Sequence, residues 1–475
     1  MNVADQTSLW WIRRDLRITD NCAFHAAAES DYIIPFYCFQ NPTKNHRWTG
    51  AKRQQFLLEC LESLNNNLRT LNTEIIFRTG EVIEELERLF HHTPFSQLHF
   101  SMAPDPYGKA TEQAVELFCK KHHIQAYGHL DHAISLPTDV YNKQGNVYRV
   151  FTPYSKMWLA TSFDQSLSKL SKKQLHTPRS LDGNNENMPT LAHWGHEDVT
   201  LSIEAGEKAA RERMKQALSN TLPLYGEQRN IPAGQTTSRL SQDLRFGLIS
   251  IRELVNRTQN YITETTDQAA QGSAKTYLSE LIWREFYFQI LHHFPHVLDQ
   301  SFNPVFDELE WPGTEEALER WKTGTTGFPI IDAGMRELNT TGFMHNRVRM
   351  ITAMFLTKDL HCHWKAGESY FMQQLLDGEI ASNNGGWQWS AGTGADAAPY
   401  FRIQNPWTQS KRFDPEATYI KQWIPDLQHV PAKRLHECPK GLKLANPYPL
   451  PMLDHATERD RTLALFAACK EKHQA

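Results

Sequence analysis

Residues 8–12 of the sequence read SLWWI, a short apolar run that predicts a buried β-strand. Four further runs of this kind follow, and amphipathic helical patterns such as AKRQQFLLECLESLNNNLRTL (51–71) lie between them. The further runs are YIIPFYCF (32–39), TEIIFRTG (73–80), QLHFSM (97–102) and IQAYGHL (124–130). Strands that alternate with helices predict an α/β domain with a doubly wound parallel sheet. No GxGxxG motif follows the first strand, so the common dinucleotide fingerprint is absent.

The pattern changes twice further along the chain. Residues 168–190, SKLSKKQLHTPRSLDGNNENMPT, are polar and rich in serine, asparagine, lysine and proline, which is typical of a linker. From about residue 206 the patterns are almost wholly helical, as in AKTYLSELIWREFYFQILHHF (274–294). We therefore predict an α/β domain at 1–135, an interdomain linker at 136–205 and a large all-α domain at 206–475.

Composition narrows the class of protein. The 475 residues carry a formal net charge of −4, which does not exclude a local basic groove. The seven cysteines never form a CxxC pair, so we expect a reducing compartment and no zinc or iron–sulfur site. No apolar run reaches about 18 residues, and the N-terminus does not have the pattern of a signal peptide. We expect a cytoplasmic monomer without a membrane partner.

The segment IASNNGGWQWSAG (380–392) does not have the pattern of a helix, a strand or a turn. Gly385 and Gly386 would weaken any helix. On a helix, the side chains of Trp387 and Trp389 would point about 200° apart. The two tryptophans therefore either fill the core or serve two different partners.

The segment YLSELIWREFY (277–287) places a carboxylate among aromatic side chains. As a helix, it puts Tyr277, Glu280 and Arg284 on one face, with Trp283 beside them. Glu280 is then either an ordinary ion-pair partner of Arg284 or a carboxylic acid held neutral to donate a hydrogen bond.

Two other segments combine polar groups with apolar surroundings. In FMHNRVRM (343–350), Asn346 and Arg349 are either satisfied polar core groups or hydrogen-bond partners of a planar ligand. In LLDGEIASNNGG (375–386), Asp377 and Glu379 either pair with an arginine such as Arg349 or bind a ribityl or ring N–H group.

A hydroxyl cluster occurs in GQTTSRLSQDLRFG (234–247). Thr237, Ser238 and Ser241 surround Arg239 just ahead of an apolar run. Such a cluster either forms a plain helix N-cap or holds a phosphate at the start of a helix.

Together these stretches resemble the photolyase/cryptochrome family, and within it the class I photolyases. The resemblance runs from WWIRRDLRITDN (10–21) to FDPEATYIKQWIPDL (413–427). It is most specific in SELIWREFY, GFPIIDAGMRELNTTGFMHNRVRM, DGEIASNNGGWQWSAGTGADAAPYFRIQNP and TSRLS. The family fold is an α/β antenna domain followed by a helical FAD-binding domain, which agrees with the pattern above.

The resemblance implies a deoxyribodipyrimidine photo-lyase activity, the light-driven repair of cyclobutane pyrimidine dimers in UV-damaged DNA. In the family, excited reduced FAD passes an electron to a flipped-out dimer, the cyclobutane ring splits, and the electron returns. The alternative is a cryptochrome, a blue-light receptor without repair activity. Asn383, which stands where plant cryptochromes carry aspartate, counts against that alternative, as does the absence of a long tail beyond the resembling region.

The resemblance also implies residue roles. The expected FAD-binding residues are Tyr225, Thr237, Ser238, Arg239, Leu240, Ser241, Tyr277, Arg349, Asp377, Gly378, Glu379 and Asn383. The expected catalytic residues around the dimer are Glu280, Trp283, Asn346, Met350 and Trp389. The DNA-binding set is Arg229, Glu280, Trp283, Asn346, Arg347 and Gln409.

The resemblance assigns different partners to the two tryptophans of 380–392. Trp387 corresponds to the first member of an electron-hopping chain that continues through Trp364 and ends at Trp311. Trp389 faces the dimer instead. Gly385 and Gly386 are expected to let the backbone pass close to the cofactor.

Relatives also carry an antenna chromophore in or beside the α/β domain. The Asn-Glu pair typical of folate binding is replaced here by PDPYGKATEQ (104–113). The acidic contact for a deazaflavin is missing near Ala103. We favour 5,10-methenyltetrahydrofolate over 8-hydroxy-deazaflavin and assign no residues to its site.

Overall fold

The chain begins with a five-stranded parallel sheet. The computed structural model describes residues 6–40, 48–164, 166–171, 174–181, 185–234, 236–437, 441 and 443–474. The strands are β1 (Thr7–Trp11), β2 (Tyr32–Phe39), β3 (Ile76–Thr79), β4 (Gln97–Ser101) and β5 (Gln125–His129). Their order is β3-β2-β1-β4-β5, with Leu9 paired to Ile34 and Leu98. The predicted parallel sheet is confirmed.

Helices cover both faces of this sheet. Leu9 and Trp11 of β1 are buried in one apolar cluster, whereas Trp10 is buried in another on the opposite face. Burial on both sides explains why the strands are continuous apolar runs rather than alternating ones. The helices between the strands are α1 (Cys22–Ala27), α2 (Ala51–Arg69), α3 (Val82–His92) and α4 (Pro106–Lys121).

The rest of the described chain is mainly helical, as predicted. One helix, α5 (Phe151–Ala160), lies inside the predicted linker and packs on α10 (Gln268–His293). The other helices are α6 (Glu207–Gln216), α7 (Tyr225–Gln228), α8 (Ser241–Arg245), α9 (Ile251–Glu264), α11 (Glu315–Thr323), α12 (Pro329–Thr341), α13 (Asn346–Met354), α14 (Trp364–Gln374), α15 (Ile380–Ala391), α16 (Pro406–Phe413), α17 (Thr418–Trp423), α18 (Ala432–Leu435) and α19 (His455–Gln474). The domain boundaries drawn from the sequence stay predictions.

The prediction that 380–392 is not helical is wrong, because α15 spans most of this segment. Glu379 caps the helix by accepting a hydrogen bond from the Ser382 amide at 3.0 Å, and Gly392 ends it with φ +82°. The helix packs against α10, α13 and α14. Tertiary packing therefore outweighs the low helix propensity of its two adjacent glycines.

A buried ion cluster connects the sheet to the helical region. Asp131, just after β5, lies 2.6 Å from Arg17 and 3.0 Å from Arg252 of α9. Burial alone would raise the pKa of Asp131, but the two guanidiniums lower it to about 2. This cluster fixes α9, and the helices packed on it, relative to the sheet.

Among the described residues, no helix combines the length and the apolar character needed to cross a bilayer.

Candidate active site

A cavity of about 560 Å³ lies among α7, α10, α13, α15 and the segment before α8. Most of the site residues expected from the sequence line it. These are Tyr225, Arg229, Thr237, Ser238, Leu240, Ser241, Tyr277, Glu280, Trp283, Asn346, Arg347, Arg349, Met350, Asp377, Gly378, Glu379, Asn383, Trp387 and Trp389. Four do not line it: Arg239, Trp311, Trp364 and Gln409. The structure thus brings together groups that lie more than 160 residues apart in the sequence.

The side chain of Arg239 is directed away from the cavity. Its backbone adopts φ +50°, and its guanidinium stacks on Phe343 at 4.3 Å and lies 3.7 Å from Glu337. The side chain of Arg239 therefore does not line the cavity, and the expectation that Arg239 binds FAD stays a prediction that depends on its backbone.

The hydroxyl cluster before α8 does not cap that helix. Leu240 occupies the N-cap position, without a side-chain capping bond. Ser238 instead hydrogen-bonds the hydroxyl of Tyr277. Of the two interpretations drawn from the sequence, the plain N-cap is wrong, and the hydroxyls face the cavity.

One wall of the cavity carries acidic groups with unused oxygens. Asp377 accepts a hydrogen bond from Arg349 at 2.9 Å, as one interpretation of the sequence predicted. Among the described residues, Asp377 Oδ1 and Glu379 Oε1 have no hydrogen-bond partner. Such oxygens can accept hydrogen bonds from hydroxyl or ring N–H groups of a ligand.

Two further arginines of this wall were not among the expected ligand-binding residues. Arg245 donates to the carbonyl oxygen of Gly378 at 2.9 Å, and Arg284 donates to that of His132 at 2.5 Å. Burial lowers the pKa of both guanidiniums. An anionic ligand group would stabilise their charge, because burial disfavours it and the hydrogen bonds above go to neutral backbone carbonyls.

Glu280 pairs with Arg229 rather than with Arg284, so the predicted intrahelical pair is wrong. Arg284 lies one turn away on α10 but is directed toward His132. Burial raises the pKa of Glu280, and the charge of Arg229 opposes that rise. Arg347, on α13, binds Asn230 at 2.7 Å.

A stacking partner fixes the ring of Trp283. Phe151 of α5 lies face to face with it, at 3.7 Å between centroids and 7° between planes. Phe151 was not among the predicted site residues, because it lies in 136–205, which was predicted to be a linker. The aromatic density of VYRVFTPYSKMW (147–158) is the signal that could have indicated a packed helix.

Trp387 and Trp389 point to different surroundings, as predicted. Trp387 is 2 % exposed and contacts Phe371 and Trp321, with ring centroids 4.9 and 5.9 Å away. Trp389 is half-buried, and both tryptophans line the cavity, but of the two Trp387 alone belongs to the buried apolar cluster. A Cβ atom on Gly367 of α14 would approach the Trp387 ring to 2.1 Å, so the glycine lets this ring lie against α14.

The two glycines before Trp387 have different roles. A Cβ atom on Gly385 would approach the ring of Tyr287 to 2.1 Å, so Gly385 permits a close contact between α15 and α10. A Cβ atom on Gly386 would meet no atom within 4 Å, because this position faces the cavity. Gly386 therefore leaves space on the cavity side of α15, and the expected close approach of this backbone to a cofactor stays a prediction.

The other two tryptophans expected in the electron-hopping chain differ in burial. Trp364, at the first position of α14, is 1 % exposed and belongs to the same apolar cluster as Trp387. Trp311 is half-buried at the edge of that cluster. Exposure therefore increases from Trp387 and Trp364 to Trp311, as a path for electrons between the cavity and the surface requires.

The segment considered for folate binding forms the start of α4. Asp105 caps it through the Gly108 amide at 2.9 Å and pairs with Arg14 at 2.8 Å. Glu112 pairs with Arg13. These acidic groups are already engaged within the protein, so they identify no antenna site.

Comparison with known proteins agrees with this geometry. A family model described as DNA photolyase matches residues 8–174, and one described as FAD binding domain of DNA photolyase matches 277–468. Deoxyribodipyrimidine photo-lyase of Synechococcus sp. is 35 % identical over 97 % of this chain and 96 % of its own. The enzyme of that name from Escherichia coli K12 is 34 % identical over 98 % of this chain and 99 % of its own.

Solved structures of similar proteins share the whole fold. A bacterial class III photolyase from Agrobacterium tumefaciens has a TM-score of 0.89 and 30 % identity, with 99 % of both chains covered. A cryptochrome from Synechocystis sp. PCC6803 has a TM-score of 0.86 over 98 % of this chain and 100 % of its own, and at 24 % identity it shows the fold alone. With photo-lyases at 34–35 % identity along nearly its whole length, the chain belongs to the DNA photolyase family.

Proposed function

We propose that this protein is a deoxyribodipyrimidine photo-lyase that repairs cyclobutane pyrimidine dimers in DNA under blue or near-UV light. The observation that carries the proposal is a single cavity with two kinds of wall. The arginine and carboxylate groups on one side suit a flavin nucleotide, and Glu280, Trp283, Asn346, Met350 and Trp389 on the other suit an apolar, hydrogen-bonding lesion.

The chemistry of the cavity fits FAD. The diphosphate would be held by Arg245, Arg284 and the hydroxyls before α8, because burial disfavours the charge of both guanidiniums and a bound anion would stabilise it. The free oxygens of Asp377 and Glu379 would accept from ribityl hydroxyls or ring N–H groups. When bound and reduced, FAD supplies one electron on absorbing light.

Two arginines fix the backbone of the loop that carries those carboxylates. Arg53 of α2 and Arg245 of α8 both donate to the Gly378 carbonyl oxygen, at 2.8 and 2.9 Å. Asp377 and Glu379 flank this carbonyl, so a helix of the α/β region and one of the helical region together set their position.

The second wall of the cavity, which carries Trp283 and Trp389, would receive a flipped-out dimer between aromatic side chains. Trp283, fixed by Phe151, and Trp389 offer flat apolar surfaces, and Asn346 offers hydrogen bonds to a pyrimidine edge. Arg229, Arg347 and Gln409 would contact the DNA strand. For Arg229 this requires a change of partner, because it now holds Glu280.

Withdrawal of Arg229 would also change the state of Glu280. Burial already raises the pKa of this carboxyl, and Arg229 is the main group that opposes the rise. Once Arg229 binds a phosphate, Glu280 takes up a proton and becomes a donor to a pyrimidine carbonyl. A neutral donor placed there stabilises the negative charge that develops as the ring splits.

Glu280→Ala should therefore lower the yield of ring splitting per absorbed photon, with little change in affinity for the dimer. Loss of one such donor raises a barrier by about 2–4 kcal/mol, and competing electron return makes the visible loss smaller. Glu280→Gln, which keeps a donor, should retain most of the yield. Quantum yields on dimer-containing duplex measure this. Equal yields for the wild type and Glu280→Ala would leave Glu280 as the structural partner of Arg229.

We also propose that the protein works in a reducing compartment, the cytoplasm, and that it is a monomer. The six cysteines of the described residues are all free thiols. For the antenna we keep 5,10-methenyltetrahydrofolate as the preferred chromophore. An archaeal photolyase from Sulfolobus tokodaii, 27 % identical, has a structure reported with two FAD molecules, so an absorption spectrum of the purified protein is the deciding measurement.

Binding in the dark and release in the light test the proposed function. The reduced, FAD-loaded protein should bind a dimer-containing duplex more tightly than the undamaged duplex in the dark, and illumination should abolish the difference. A gel-shift titration before and after blue light measures both. Damaged and undamaged duplex bound alike in the dark would contradict the proposal, and a preference that persists after illumination would favour a receptor without repair activity.

A further inference from the structure

An imidazole ring lies close to each of the last two tryptophans of the expected electron-hopping chain. The ring of His363 is 5.2 Å from that of Trp311, at 52°, and 5.5 Å from that of Trp364, at 33°. Trp364 is buried and Trp311 is half-buried. His363 thus occupies the step where a charge would leave the core for the surface.

The backbone holds this ring in place. His363 is the N-cap residue of α14, and its Nδ1 accepts a hydrogen bond from the Lys365 amide at 3.1 Å. The segment that carries Trp311 is tied to the same turn, since the Gly313 amide donates to the His361 carbonyl oxygen at 2.9 Å. A Cβ atom on Gly313 would lie 2.6 Å from Cys362 Sγ, so the two segments are in close contact.

We propose that His363 is a positioning residue of electron transfer, whose ring bridges Trp364 and Trp311 so that the charge on Trp364 reaches Trp311. The proposal rests on the tryptophan chain of the proposed function. An electron crosses a gap filled by a ring in contact with both neighbours far faster than an empty gap, because tunnelling weakens steeply with through-space distance.

Electron transfer along this path leaves the oxidation state and the protonation state of His363 unchanged. Under light, Trp387 gives one electron to the flavin and takes one from Trp364, which takes one from Trp311. The Trp311 radical cation loses its indole N–H proton to water. An added thiol reductant later returns one electron, and water returns the proton, so the thiol is the net donor.

His363 carries no charge that would repel the passing positive charge. Its Nδ1 can accept the Lys365 amide only when that nitrogen is unprotonated. His363 is exposed on one side, but partial desolvation lowers the pKa of its imidazole, the charge of Lys365 lowers it further, and Asp307 opposes them. The neutral ring is therefore the form present at neutral pH.

Two variants separate the ring from the helix cap. His363→Asn keeps a side-chain acceptor at the N-cap position but removes the ring. His363→Phe keeps an aromatic ring but removes the acceptor. A purely structural cap predicts that the asparagine variant behaves as the wild type and the phenylalanine variant does not, whereas the bridging role predicts the reverse for electron transfer.

Transient absorption of the FAD-loaded, oxidised protein is the test, with Trp311→Phe as the reference for a broken chain and thermal unfolding of the flavin-free variants as the check on folding. We expect His363→Asn to lose the long-lived tryptophan radical to the level of Trp311→Phe, and His363→Phe to keep it. A wild-type radical yield in His363→Asn, or its loss in a folded His363→Phe, would overturn the proposal. If Trp311→Phe itself has no effect, the tryptophan chain fails, and this proposal fails with it.

Discussion

Trp387→Phe is expected to abolish the light-driven reduction of bound FAD while leaving repair by chemically reduced protein in place. Trp387 lies against α14 with Phe371 and Trp321 around it, and it shares a buried cluster with Trp364. Phenylalanine fills most of the same space but is a far poorer electron donor than an indole. Repair starts from reduced FAD and does not need this donor.

Trp389→Ala should show the opposite pattern, because its ring lines the cavity instead of the buried cluster. Photoreduction should survive, and affinity for the dimer should fall by roughly 1–3 kcal/mol, the scale of a stacking contact with a base. Trp321→Phe is the matched control for a buried tryptophan beside Trp387 but off the chain. Loss of the same function in Trp387→Phe and Trp389→Ala would mean that the pair only fills space.

Asp131→Asn is expected to lower the free energy of unfolding by about 3–5 kcal/mol, because it removes the carboxylate that pairs with buried Arg17, whereas Arg252 keeps Asp20. Asp131 is 4 % exposed and binds both Arg17 and Arg252. The matched control is Asp460→Asn, in an exposed pair with Arg459, which should cost less than about 1 kcal/mol. Denaturant unfolding at neutral pH compares the two, and equal losses would show that the buried cluster is not a clamp.

The lowered pKa of Asp131 predicts that the folded state loses stability in acid. The pKa of Asp131 is about 2 in the folded chain, against an ordinary value of 3.8. A depressed pKa means that the folded state binds the proton less readily than the unfolded state. The stabilisation is therefore complete above the ordinary value and is lost as the pH falls through the folded value. Unfolding of the wild type should show this slope, and Asp131→Asn should lack it.

The sheet and most of the residues that line the cavity could be predicted from the sequence alone. Strands buried on both faces leave continuous apolar runs, so SLWWI (8–12) and its companions were recognisable without a structure. The long motifs carried most residues of the cavity, since they include parts of α10, α13 and α15, the segment before α8 and the loop before α15.

Features that depend on tertiary packing were not predictable. Helix α15 forms despite Gly385 and Gly386 because α10 and α14 enclose it, which no local propensity records. Glu280 could pair with an arginine on its own helix, such as Arg284, or with one on another element. Only the fold decides in favour of Arg229. Phe151 was missed for the same reason, because its partner Trp283 is 132 residues away in the chain.

A direct count of dimers is the measurement that bears most closely on the central claim. A thymine-dimer duplex is incubated with the reduced, FAD-loaded protein, divided between blue light and darkness, digested and quantified by mass spectrometry. The account predicts that dimers are converted to intact thymines in the light, beyond one per protein molecule, and persist in the dark. Dimers that persist in the light, or that disappear equally in the dark, would contradict it.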